Sequence, residues 1–239
     1  NRPAQACGGF FMTSPNILPS FDPRHIPVVG VDVHLPKVQA HVLQPLALAQ
    51  RFRQPPIWTP ELKGEPRFSD RVPVHASVLV PLVMRDHGLA VLLTERTTHL
   101  SSHSGQIAFP GGKADPEDAS TTDTALREAE EEIGLDRHFV EVLGNLPTYI
   151  TGSAFIVTPV VALVRADYSM TLNPHEVADA FEVPLDFLMT PANHRRHAME
   201  WAGSRREWFS MPYTDDRAER FIWGATAGML RNFYRFLIA

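Results

Sequence analysis

Glu128, Glu131 and Glu132 stand at i, i+3 and i+4 within Arg127-Glu128-Ala129-Glu130-Glu131-Glu132-Ile133-Gly134-Leu135. On a helix, residues at these spacings project from one side. Like charges one turn apart repel and weaken a helix, so a hard divalent cation would remove a penalty that the sequence otherwise carries. Mg2+ and Mn2+ prefer such oxygen ligands, and Mg2+ is commonly held by a few carboxylates together with substrate phosphates. Upstream lies Pro110-Gly111-Gly112. Two glycines let a backbone approach a phosphate or offer a carbonyl to a cation. The chemistry this predicts is metal-assisted attack of water on phosphorus. Arg127 is positioned to pair with Glu131 one turn on, or to orient a neighbouring carboxylate. An acidic run alone is more often a solvated helix face. The Pro-Gly-Gly turn and the Arg-Glu-x-x-Glu-Glu-x-Gly order together favour the metal reading, with Glu130 left facing solvent.

The elements that must position these groups follow from pattern. Ser120 to Ile133 reads as a helix, capped by Ser120 or Thr121, with Ala125, Leu126, Ala129 and Ile133 as its apolar stripe and Gly134 after its last turn. His75 to Met84 and Leu89 to Thr94 read as a hairpin across Asp86-His87-Gly88. Gln106 to Phe109, Val140 to Leu143, Phe155 to Val164, Arg195 to Trp201 and Arg205 to Met211 read as strands, the last two joined by Ala202-Gly203-Ser204. Pro45 to Phe52, Pro174 to Phe181 and Pro184 to Met189 read as helical, and Asp216 to Leu237 as a terminal helix. The fold class expected is α+β, a layered domain with a mixed sheet. Residues 1–70 read as an N-terminal extension with one short helix, broken by Pro15, Pro19, Pro23, Pro27 and Pro36. Residues 71–239 read as the packed domain.

The segment from Gly112 to Leu135 resembles the Nudix box: Gly, five residues, Glu, seven residues, then Arg-Glu-apolar-x-Glu-Glu-x-Gly-apolar. Asp118 stands where Glu is usual, and eight residues rather than seven separate it from Arg127. Leu92-Leu93-Thr94-Glu95-Arg96, His103-Ser104-Gly105-Gln106 and Phe109-Pro110-Gly111-Gly112 are similar to the coenzyme A diphosphatase branch. So are Asn173 to Val177 and Ile222 to Ala227. The likeness covers about residues 72–234, and Ser101 stands where that branch usually has Arg. The resemblance implies an α/β/α sandwich and cleavage of coenzyme A to 4'-phosphopantetheine and adenosine 3',5'-bisphosphate. ADP-ribose or another nucleoside diphosphate derivative is the alternative substrate, and a non-catalytic Nudix module the alternative class. It further implies Mg2+ or Mn2+ held by Glu128, Glu131, Glu132 and the Gly112 carbonyl. A later carboxylate completes the site or acts as base, with Glu176 the first candidate and Glu182 its competitor.

Arg96 is a candidate for gripping a substrate phosphate, or for pairing with a structural carboxylate. His103, Gln106 and Gly111 are further candidates for substrate contact. His99 and His103 fall in a loop and do not suggest a zinc site. Trp201, Trp208 and Trp223 read as core aromatics. The chain has 239 residues and a net charge of -5 with no long basic run, which argues against polymeric nucleic acid as partner. No apolar run is long enough for a membrane helix. The single cysteine, Cys7, points to a reducing, cytoplasmic setting. Met12 is the expected natural start. The Pro-rich arm either wraps the core or reaches a partner subunit, so a homodimer is one expected arrangement.

Overall fold

The computed structural model describes residues 22–67, 69–97, 105–201 and 204–239. Along the chain it forms β1 (Val28–Val31), α1 (Pro45–Arg53), β2 (Val74–Arg85), β3 (Gly88–Arg96), β4 (Ile107–Ala108), β5 (Gly111–Lys113) and α2 (Thr121–Ile133). There follow β6 (Val140–Asn145), β7 (Tyr149–Ile150), β8 (Phe155–Val164), β9 (Val177–Pro184), α3 (Leu185–Leu188), β10 (Arg195–Trp201), β11 (Ser204–Thr214), β12 (Glu219–Trp223) and α4 (Gly224–Ile238).

The central sheet contains β2 to β9 among the described residues, and β2 runs parallel to β8 while its other pairings are antiparallel. Side chains alternate across this sheet. Leu79, Val83, Leu92, Val160 and Ala162 face α2, where Ala125, Ala129 and Ile133 meet them. Val80, Leu82, Val91, Leu93, Val161 and Leu163 face the other way, toward Met229, Leu230, Phe233 and Phe236 of α4. A sheet buried on both faces needs near-continuous apolar strands, which explains the unbroken runs in β2 and β8. The result is helix, mixed sheet, helix, the α+β sandwich expected.

Helix α2 starts as its sequence dictates. The Ser120 side chain accepts from the Asp123 N–H, and Gly134 ends the helix in the left-handed region at φ 66°. Two expectations fail. Pro174 to Phe181 is not a helix: Asn173 to Glu176 make a turn, and β9 pairs antiparallel with β3 from Ala90 to Arg96. Val177, Ala180 and Phe181 mimic a helical stripe, but the open edge of β3 supplies a full ladder of partners, and tertiary pairing overrides local pattern. The terminal helix begins later than expected. Asp215 closes a turn by accepting from the Arg217 and Ala218 N–H groups, and β12 then pairs with β11 before Gly224, at φ 62°, redirects the chain into α4. The loop at residues 202–203 lies outside the described residues, as do Pro15, Pro19 and Met12 of the arm.

The arm contributes β1 as the edge of a second sheet, ordered β1-β10-β11-β12. Arg231 of α4, buried at 2% exposure, pairs with Asp32 and Glu61, both from residues before 71. Asp32 also accepts from Arg196 of β10. His194 completes this centre. Arg231 can only donate, so the Nδ1 of His194 accepts from it at 3.1 Å, leaving Nε2–H to donate to the Leu188 carbonyl at 2.7 Å. This arrangement requires a neutral ring, and burial lowers its pKa to about 4.

Two outcomes follow. Asp32→Asn leaves two arginines short of a buried partner and should lower the unfolding free energy by about 3–5 kcal/mol, measured by urea denaturation. A loss below about 1 kcal/mol would contradict the tether. For His194, the folded pKa lies below the unfolded value of about 6.5, so the unfolded chain takes up more protons between them. Its contribution is intact above about pH 6.5 and is lost as pH falls toward 4. His194→Gln, which keeps one donor and one acceptor, should show a shallower stability loss across that window. Equal slopes for both proteins would be the contrary result.

Candidate active site

The site forms where β5, the C-terminal end of β3, helix α2 and the turn before β9 converge. Gly111 can sit here only without a side chain. Its φ is 157°, and a Cβ would fall 2.4 Å from the Ser77 carbonyl oxygen. A Cβ on Gly112 would instead fall 2.5 Å from the Glu128 carboxyl group. The two glycines therefore serve different ends: the first lets β5 lie against β2, and the second brings backbone close to a glutamate of α2.

Glu132 is 3% exposed, and its Oε2 accepts from the Gly111 N–H at 3.0 Å. Arg96 Nη1 lies 3.6 Å from its Oε1. Burial raises the Glu132 pKa to about 7, against the lowering effects of the Gly111 bond and Arg96, while Glu128 and Glu176 push it further up. Burial also raises Glu128, opposed by Arg127 and reinforced by Glu131 and Glu176. These mutual repulsions place Glu176 electrostatically with the box glutamates. Backbone bonds explain how it gets there: the Asn173 N–H donates to the Glu132 carbonyl, and the Thr97 N–H donates to the Glu176 carbonyl. The Asn173 side-chain amide also donates to Glu176 Oε1 at 3.4 Å. Glu182, the competing candidate, is committed elsewhere, to Arg85 and the Tyr168 hydroxyl.

Arg127 is the hub of the exposed side. It donates to Glu131 Oε2 at 3.1 Å and to the Lys113 carbonyl, and lies 3.1 Å from Glu128 Oε1. Two further bonds, at 2.9 and 3.0 Å, run to Asp118. Asp118 also accepts from the Thr124 hydroxyl and the Asp115 N–H. The Arg127 bonds, foremost, hold the Asp118 carboxyl well below the usual range. Asp118 thus orients Arg127, a role its sequence position left open. Glu131 and Glu130 are exposed, and Gly112 is half-buried. Gln106 lies beside Arg96, its carbonyl accepting the Arg96 N–H. His103, with His99 and Ser101, lies outside the described residues.

Among the described residues, no three His, Cys, Asp or Glu side chains converge as a ready-made metal cage. Arg127 and Arg96 instead hold the box glutamates. The donor set still fits a hard cation: two carboxylates whose burial raises their pKa, with nearby carboxylates adding to it, beside a glycine backbone. Asn173 was the supporting residue least evident in advance. Its one signal was the Asn-Pro pair, which marks a turn.

A helix carrying carboxylates against a Gly-Gly strand on a mixed sheet defines a class, and the sequence family agrees. The family model described as NUDIX domain matches residues 73–202. The chain belongs to the Nudix family, and is a hydrolase acting on phosphorus anhydrides. Two relatives carry the name "Uncharacterized Nudix hydrolase NudL". The one from Yersinia enterocolitica serotype O:8 is 42% identical over 158 residues, covering 66% of this chain and 78% of the relative. The one from Yersinia pestis (strain Pestoides F) is 41% identical over 157 residues, covering 66% and 76%. A C. elegans Ap4A hydrolase structure overlaps 49% of this chain and 85% of its own, at 19% identity and TM-score 0.42. Nudix hydrolases generally use divalent cations such as Mg2+ or Mn2+ and act on small nucleotide derivatives. Among the described residues, no helix is long and apolar enough to cross a membrane.

The glycines separate fold from chemistry. Gly111→Ala drives a Cβ into backbone and should destabilise the fold, read as a lowered melting temperature. Gly112→Ala meets a movable carboxylate, so it should keep the fold while kcat/KM drops by about ten- to a hundredfold. A Gly112→Ala enzyme with wild-type kinetics would show that the close approach to Glu128 is immaterial.

Proposed function

We propose that this chain hydrolyses the diphosphate linkage of coenzyme A or its derivatives, giving 4'-phosphopantetheine and adenosine 3',5'-bisphosphate. The reaction type is supported above all by the desolvated pair Glu128 and Glu132, gathered with Glu176 around Gly111 and Gly112. The substrate is supported by the segments Leu92 to Arg96 and Phe109 to Gly112, which resemble the coenzyme A diphosphatase branch.

In this reading water attacks one phosphorus, the bridging P–O bond breaks, and Glu176 takes the proton of the attacking water. Glu128, Glu131, Glu132 and the Gly112 carbonyl would hold Mg2+ or Mn2+. The cation supplies charge neutralisation and polarises the phosphoryl oxygens. Arg127, itself braced by Asp118, orients Glu131 at the site's edge. Arg96 exchanges its contact with Glu132 for the substrate phosphate, the kind of charge-assisted bond that guanidinium makes well. Gln106, whose carbonyl accepts the Arg96 N–H, and His103 are the further candidates for substrate contact. The reading carries with it a packed domain over residues 71–239, a cytoplasmic setting and a homodimer as the assembly to examine.

The deciding experiment measures hydrolysis of coenzyme A and ADP-ribose side by side, with Mg2+ and Mn2+ varied and products identified. Coenzyme A should be preferred, with adenosine 3',5'-bisphosphate among the products. Preference for ADP-ribose moves the substrate within the family, and no turnover of either with metal present would sink the proposal. Glu131→Gln should lose most turnover, about a hundredfold or more in kcat, at an unchanged melting temperature because the side chain is exposed.

A further inference from the structure

Arg220 lies outside the residues matched by the family model, on β12 of the second sheet, and is 4% exposed. Its guanidinium reaches three carboxylates from three segments: Glu95 of β3 at 3.0 Å, Asp179 of β9 at 2.7 Å, and Asp215 of the turn before β12 at 2.8 Å. It also lies 4.3 Å from the ring centroid of Phe181. Glu95 and Asp179 are direct cross-strand partners. Like charges in that relation repel, so β3 and β9 are held together at this point by the cation between them.

The place of this clamp matters more than its strength. The β3–β9 register shifts immediately after Glu95, so that Arg96 pairs with Val177. Arg96 thus follows Glu95 directly, and Glu176 sits in the turn just before Val177, three residues from Asp179. Their backbones are joined through Thr97, whose N–H donates to the Glu176 carbonyl and whose hydroxyl donates to the His175 carbonyl. Asp179 has a second cation, Arg217 at 2.9 Å, whereas Arg220 is the only cation paired with Glu95 among the described residues. Loss of Arg220 therefore exposes Glu95 to Asp179 just where the irregular pairing begins.

We propose that Arg220 is a positioning residue for the hydrolysis: by neutralising Glu95 against Asp179 it fixes the bulge that aims Arg96 and Glu176 at the substrate diphosphate. It acts from the second sheet on a site carried by the central sheet, α2 and the turn before β9. The inference rests on the functional reading of Arg96 and Glu176 given above.

Arg220→Met tests it, assayed with whichever of coenzyme A and ADP-ribose the wild-type enzyme hydrolyses. The kcat/KM of the folded protein should fall by about ten- to a hundredfold, the scale of a displacement near 1 Å, with KM rising because Arg96 is misplaced. The double variant Arg220→Met/Glu95→Gln removes the repulsion and should recover most of that loss. A purely structural role predicts a lower melting temperature with unchanged kinetics of the folded fraction, and no rescue; either result overturns the inference. Should Arg220→Met fail to fold, Arg220→Lys serves: one ammonium cannot span three carboxylates, so KM should still rise, and wild-type KM would overturn the inference. Arg96→Ala and Glu176→Gln are run alongside. If both behave as wild type, the reading of the site fails and this inference with it. If they are impaired while Arg220→Met is not, the inference alone fails.

Discussion

The burial of one carboxylate, that of Glu132, organises the site. A desolvated charge demands compensation, and Glu132 finds it in the Gly111 amide and the Arg96 guanidinium. Those two contacts tie α2 to β5 and to the end of β3. The Glu132 carbonyl, meanwhile, accepts from Asn173 and so fixes the turn that delivers Glu176. One residue therefore sets the mutual position of four segments that are far apart in sequence. The compensation is incomplete, because Glu128 and Glu176 add negative potential to the same place. That residual charge is what a cation would neutralise.

A second charge centre, on the opposite side of the central sheet, deals with the arm. Arg231 is buried among Asp32, Glu61 and His194, and Arg196 shares Asp32. Removing either side of such a centre costs more than the pairing contributes, because the remaining charge is left dehydrated. Residues 28–67 thereby become continuous with the packing of α4 and β10, even though their sequence reads as an irregular extension. The two centres share a logic. Each uses a buried arginine or glutamate as a junction, where apolar contacts alone would permit several arrangements.

How much of this was legible depended on the range of the interactions involved. Helix α2 was readable nearly to the residue, since Ser120, the Ala125-Ala129-Ile133 stripe and Gly134 are all local signals. The hairpin of β2 and β3, and β8, were readable because their apolar runs are long. What failed was set by distant partners. Val177 to Pro184 became a strand because β3 had an open edge. Glu219 to Trp223 became a strand because β11 extends past Met211 to Thr214. In the site, the place of the box residues on α2 was legible, but their partners were not: the sequence cannot say that Glu182 is consumed by Arg85 and Tyr168, which leaves Glu176 as the carboxylate beside them.

The departure from the family pattern at Asp118 also has a physical reading. Aspartate is one methylene shorter than the glutamate usual there, and the loop before α2 carries one residue more than usual. In the fold, Asp118 makes two bonds to Arg127 and is itself braced by Thr124 and the Asp115 N–H. At this position the fold uses a fixed carboxylate that holds Arg127. Arg127, held in this way, keeps its contact with Glu131, so the departure at Asp118 leaves that pair in place.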